Sequence, residues 1–286
     1  MQYWIIQTLN SLALGGLLFL LAAGFSLIFG LMRIANLTHG SMYMLGAYVG
    51  VSVLGYIPNL WVAALIGGLT IAFFGGLIER LILRPLAGNA LGQVLVTLGI
   101  SFIVADFCLM IWGGDPLPIP TPPALQKPIL IGGVAFPTYR LVVLAIAIAT
   151  AIGLYLLMER TRIGAMIRAG VDDMQMARAV GIPVSRLFTT VFCLGAGLAG
   201  AGGILGGPIM SAYPGLDADM LPLALIIVML GGVGSLLGAF VGSFVIGAIY
   251  TFGTALLPDL AYVILFLPMI FVIAFRPTGL FGRQLT

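Results

Sequence analysis

The sequence predicts an all-α membrane protein, a polytopic helical bundle of eight full transmembrane spans plus one short or half-span segment, N-out and C-in. Three observations predict it. Of 286 residues, 61% are hydrophobic and 7% charged, and the mean hydropathy is +1.20, whereas a soluble domain carries about 25% charged residues. The apolar residues are gathered into runs close to the roughly 20 that cross a hydrocarbon core. The few charges sit between these runs, and the positive ones favour every second connection.

The runs fall at 11–32, 39–56, 60–78, 91–113, 141–158, 187–210, 235–257 and 260–275, with a shorter one, MLPLALIIVMLGG, at 220–232. The first follows MQYWIIQTLN, which lacks the basic stretch of a cleaved leader, so it is expected to remain as a span. Arg33, Arg80, Arg84, the five arginines of 159–186, Arg276 and Arg283 all fall on one side, and the positive-inside rule makes that side cytoplasmic. Lys127 and Arg140 fall on the other side with Asp115, Asp217, Asp219 and Asp259. Trp4, Trp61 and Trp112 land at the predicted outer ends, where amphipathic rings anchor among headgroups. One membrane domain, 1–286, accommodates all of this.

The absences narrow the function. Lys127 is the only lysine and follows Gln126, so no G-x-x-x-x-G-K-[ST] phosphate loop exists. One histidine and no clustered carboxylates within the spans leave no acid–base pair for an enzyme, and no catalytic residue, metal site or bound cofactor is expected. Cys108 and Cys193 read as small buried hydrophobes. Ion-coupled transport needs ionisable groups at membrane depth, and Asp106 is the one carboxylate placed inside a run. It serves either as a proton site or as a group bonded to its neighbours near the outer interface.

Charge concentrates in 159–186, ERTRIGAMIRAGVDDMQMARAVGIPVSR, which holds eight of the chain's charged residues. Asp172 and Asp173 precede MQMARAV, Gly181 follows it and Pro183 comes next, the signals of a short helix with defined ends. Val171, Met174, Ala177 and Gly181 share a face at helical spacing. An apolar face on a capped helix in the cytosol suits a docking partner. A plain loop whose arginines only set topology is the alternative.

The order Arg168-Ala169, then acids, then MARAVGIP resembles the cytoplasmic coupling segment of ABC importer permeases, and the chain resembles the LivH-type branched-chain amino acid permease family in particular. Four further stretches carry that resemblance: IANLTHG (34–40) followed by MYMLGAY, IERLILRPL (78–86), IVMLGGVGSLLGAFVG (227–242) and PTGLFG (277–282). Leu37-Thr38 before His39, and YPGLDADMLP (213–222), depart from the family pattern. The resemblance implies a permease subunit in the bacterial inner membrane that moves branched-chain or similar hydrophobic amino acids. It implies a second permease subunit, related or identical, two cytoplasmic ATPase subunits holding ATP and magnesium, and a periplasmic substrate-binding protein. Nucleic acid is not an expected partner. Arg168, Ala169, Asp172, Asp173, Met174, Ala177, Arg178 and Gly181 would form the ATPase contact, with Arg168 and Arg178 facing acids on the partner. Urea, amides and aromatic acids are alternative cargoes of such systems, and a passive channel for a small neutral solute is the alternative from another class.

Two features concern the path and the packing. Asn36, Thr38, His39 and Ser41, in the polar break ANLTHGS, either satisfy open helix ends or line a gate. Gly234, Gly238 and Gly242 recur at four-residue spacing, which lets helix backbones meet where hydrophobic drive is missing.

Overall fold

The computed structural model describes residues 2–32, 36–276 and 278–282, with the side chains of 261 and 262 excepted. Arg33, Ile34, Ala35, Pro277 and Arg283, named above, lie outside the described residues.

Each predicted run coincides with a helix. They are α1 (Gln2–Met32), α2 (Thr38–Tyr56), α3 (Leu60–Ile78), α4 (Ala90–Trp112), α5 (Thr138–Arg160), α6 (Arg162–Asp172), α7 (Met174–Ala179), α8 (Val184–Met210), α9 (Leu216–Gly231), α10 (Leu236–Leu256) and α11 (Ala261–Phe275). Six of them, α1, α3, α4, α5, α8 and α10, are long and apolar enough to cross a membrane, among the described residues. The other two full-length candidates are not in that set. α2 starts with the polar residues Thr38, His39 and Ser41, and the described apolar part of α11 is short, Val263–Phe275. α9 has 16 residues, about 24 Å of helix, less than a hydrocarbon core of about 30 Å.

Local chemistry sets the ends. Asn59 accepts from the amides of Trp61 and Val62 and starts α3, Asn89 accepts from Gly92 and starts α4, and Ser235 accepts from Gly238 and starts α10. Gly113, with φ of 83°, closes α4.

One element departs from the all-α expectation. β1 (Pro128–Ile131) and β2 (Val134–Pro137) pair antiparallel, Ile131 opposite Val134. The two residues between them, Gly132 and Gly133, both have positive φ, the geometry that suits a tight hairpin turn. The hairpin leads directly into α5 at Thr138, at the end of that helix away from Arg160 and the Arg-rich stretch 159–186.

The core forms around α1, α2 and α8. From Ala13 to Leu31 α1 is apolar on nearly every side and largely buried, as a helix at the centre of a bundle must be. α8 approaches its neighbours through small residues. Gly195 lies on the Gly24 backbone of α1, Gly197 on Gly68 of α3, Gly200 on Gly46 of α2, and Gly203 on the Tyr43 carbonyl of α2. The Gly-rich run 194–207 thus serves several contacts at once.

Candidate functional site

At the Arg-rich end the chain between α5 and α8 folds into two helices, where the sequence suggested one. Thr161 accepts from Gly164 and caps α6. Ile167 and Gly170 face inward, Gly170 against Leu31 and Leu187. The spacing of Ile163, Met166, Ile167 and Gly170 after a threonine was the available signal for α6. Asp173 alone starts α7, its Oδ1 accepting from Gln175 and Met176 at 2.9 Å each. Asp172 instead ends α6, a correction to its expected place at the head of the docking helix.

The C-terminal end of α7 is a Schellman motif. The Ile182 amide donates to the Ala177 carbonyl and the Gly181 amide to the Arg178 carbonyl, both at 3.0 Å. Gly181 has φ of 86°, where glycine carries no penalty. Pro183 then leads directly into α8.

Which face of α7 looks outward is a second correction. Ala177 is 3% exposed and Met174 is half-buried, so the centre of the face named for docking packs on the permease itself, while Gly181 at its end is exposed. Met176 at 60% and Val180 at 68% exposure are the apolar groups turned outward, with Arg178 and Ala179 beside them. Arg168 is also turned to its own chain: Nη1 donates to the Met158 carbonyl and lies 3.7 Å from Glu159. It closes the end of α5, where a cation meets the negative end of the helix. Ala169 is half-buried between these contacts and accepts from the Asp173 amide. Arg178 is exposed, near Met174 Sδ.

Deeper in the bundle, the four polar residues of the 35–41 break divide. Asn36 Oδ1 accepts from the amide and hydroxyl of Thr38, at 3.2 and 2.5 Å, and so secures the first turn of α2. His39 Nε2 donates to the Leu21 carbonyl at 3.0 Å, with the ring against Phe25. Ser41 meets two other elements. Its hydroxyl lies 2.5 Å from that of Ser101 on α4 and donates to Asp217 Oδ2 on α9 at 3.2 Å. Gly40 lies on the Asp217 carbonyl and Leu221. One stretch that departs from the resemblance, 213–222, thus meets α2 at Gly40 and Ser41, just after the other, Leu37-Thr38. Ser101 was not anticipated; with Gln93 and Thr97, a polar face spaced by four residues along α4, it carried a signal that was there to read. Asn36 Nδ2 and Gln93 Oε1 are buried without partners among the described residues, and both residues line one small cavity with Thr97 and Phe192. Asp106 joins none of these groups; it is exposed on the opposite face of α4.

A third cluster lies in the stretch IERLILRPL, named above for the resemblance and for its arginines. Glu79 is fully buried beside Arg84, 2.9 Å away, at the Arg-rich end of α3.

The glycines at 234, 238 and 242 do not form one stripe. Gly234 precedes α10, has φ of 75° and lies on Gly30 of α1. Gly238 lies on the Gly231 carbonyl and Gly242 faces that of Ile227, both on α9.

Sequence comparison gives consistent results. The permease protein BraD of the high-affinity branched-chain amino acid transport system of Pseudomonas aeruginosa is 28% identical, covering 98% of this chain and 96% of its own. LivH of Escherichia coli K12 is 26% identical with the same coverage. LsrC, the autoinducer 2 import system permease protein of Salmonella paratyphi B, is 27% identical over 85% of this chain and 70% of its own. Among solved structures, PsaBC of Streptococcus pneumoniae in complex with Fab aligns at a TM-score of 0.48 with 14% identity, over 96% of this chain and 92% of that one. The family model described as "branched-chain amino acid transport system / permease component" matches residues 7–273, and the chain belongs to that family.

Proposed function

We propose that the chain is the translocating subunit of an ATP-driven importer, carrying branched-chain or similar hydrophobic amino acids across the inner membrane while ATP is hydrolysed on partner chains. The observation that carries this is α7, a helix capped at both ends that presents Met176 and Val180 outward at the Arg-rich end. Small exposed helices with apolar tips suit insertion into a cleft, and a few such side chains dominate a protein contact. Residues 159–186 are the coupling segment, α2 and α11 complete eight spans, α9 is the half-span, and the N-terminus lies outside with the C-terminus inside. A second permease subunit and two ATPase subunits holding ATP and magnesium complete the complex, and a substrate-binding protein docks at the hairpin end. The charge pattern supports this orientation.

The supporting experiment is purification of the tagged permease co-expressed with its candidate ATPase. Stoichiometric recovery of the ATPase is expected, and recovery of the permease alone would count against the assignment. Orientation has its own test. In a variant lacking Cys108 and Cys193, an impermeant thiol reagent added to intact cells is expected to label Ala124→Cys and to leave Gln175→Cys unlabelled. The reverse pattern would overturn the topology.

A further inference from the structure

α3 ends in one turn of π-helix, Glu79–Leu83, closed by the bond from the Arg84 amide to the Glu79 carbonyl at 2.8 Å. In an α-helix, residues three and four apart are the neighbours; the wider turn brings Glu79 and Arg84, five apart, together. Arg84 Nε and Nη2 both donate to Glu79 Oε1, at 3.2 and 3.1 Å, and Nη2 also reaches Oε2 at 2.9 Å. The pair is tied across to α8. Arg84 Nη2 donates to the Ser185 carbonyl at 2.9 Å and to the Thr189 hydroxyl at 2.5 Å, and that hydroxyl donates to Glu79 Oε2 at 2.7 Å.

This knot sits at the first turns of α8, directly after α7. The link between α7 and α8 is not slack. Val180, Gly181, Ile182 and Val184 each donate a backbone bond to a residue within 176–182. Along their length α3 and α8 touch through small residues, Gly75 on Ala196, Gly76 on Cys193 Sγ and Gly68 on Gly197. At the far end α8 is held again. Ala212, just beyond it, exchanges two backbone bonds with Leu117, Ile119 lies on Gly207, and the Tyr139 hydroxyl donates to the Leu205 carbonyl at 2.6 Å. α8, at 27 residues, extends about 40 Å from the Arg-rich end to the hairpin end.

From this we infer that Glu79, Arg84 and Thr189 form a clamp that joins α3 and α8 into one rigid lever, through which movement of the coupling segment reaches the hairpin end. Glu79 and Thr189 are positioning residues, acting through the junction of α3 and α8. The inference rests on the coupling role proposed for 159–186.

The test uses the permease reconstituted with its ATPase and binding protein in proteoliposomes, with uptake and ATP hydrolysis measured together. Two variants are compared, Glu79→Gln and Thr189→Val, the second leaving the ion pair on α3 in place. Both are expected to retain ATPase binding and hydrolysis, while amino acid uptake per ATP falls roughly tenfold or more, within the range of typical coupling energies. Glu79→Asp, which keeps the charge, is expected to recover part of the coupling. Wild-type uptake per ATP in Thr189→Val would overturn the inference, and so would loss of ATPase binding, which would place these residues in docking. Should Glu79→Gln not be recovered folded, Thr189→Val decides alone. Failure of the wild-type permease to bind the ATPase would instead contradict the proposed function.

Discussion

Aspartate at Met176 and Val180 is expected to abolish ATP-driven uptake while leaving the permease as stable as the wild type, and aspartate at Ala177 is expected to destabilise it. The difference follows from the two faces of α7. Met176 and Val180 project outward, so a carboxylate there stays hydrated in the free permease and meets an apolar cleft only on docking. Truncating a central contact residue typically costs about 2 kcal/mol or more, roughly thirtyfold in affinity, and two such changes together are expected to leave no measurable coupling. Ala177 is buried against its own chain. A carboxylate placed there has no partner, at a cost on the order of 3 kcal/mol. Melting temperature and protease resistance of 160–186 separate the cases: unchanged for Met176→Asp with Val180→Asp, lowered for Ala177→Asp. If the outward variants transport at wild-type rate with the ATPase present, the docking role of α7 is wrong.

The second large effect is expected for Gly238→Leu. Two sequence stretches more than thirty residues apart meet at this point. The Leu280 and Phe281 amides donate to the Leu230 and Gly231 carbonyls, at 2.9 and 3.0 Å, and so cap the end of α9. Gly232 lies against Gly279 and Gly282, while Gly238 lies on the Gly231 carbonyl from the other side. A side chain at 238 pushes α10 off α9 and breaks this packing. Overpacking costs about 1–3 kcal/mol or more, and backbone contact leaves no flexible group to give way. Recovery in detergent and the melting temperature are expected to fall sharply. Unchanged values would mean that α10 and α9 are not in contact here.

Much of the architecture was legible because its causes are local or compositional. Apolar run length marks the helices. Asp173, Gly181 and Pro183 mark the ends of α7, because capping involves residues only a few positions apart. The orientation of that helix was not legible. Both Met174/Ala177 and Met176/Val180 are apolar faces, and only the packing of the chain against itself decides which one is covered. Arg168 illustrates the same limit, since its partners Met158 and Glu159 belong to the end of another helix. Glu79 stood in a stretch that carried the resemblance, but its burial was not legible, because charge between runs ordinarily means water. Its burial depends on a π-turn and on Thr189, 110 residues away. The hairpin was within reach: Gly132-Gly133 between two apolar stretches is a known turn signal, obscured here by the helical character of the rest. Ser41 and Asp217 meet across 176 residues, a pairing no local pattern announces.

The most direct measurement is the flux of radiolabelled leucine into proteoliposomes containing the permease, with and without its ATPase, binding protein and ATP. The account predicts accumulation against a gradient only when all three are present, and no downhill leak through the permease alone. Rapid leucine equilibration without the ATPase would contradict it and identify a passive channel.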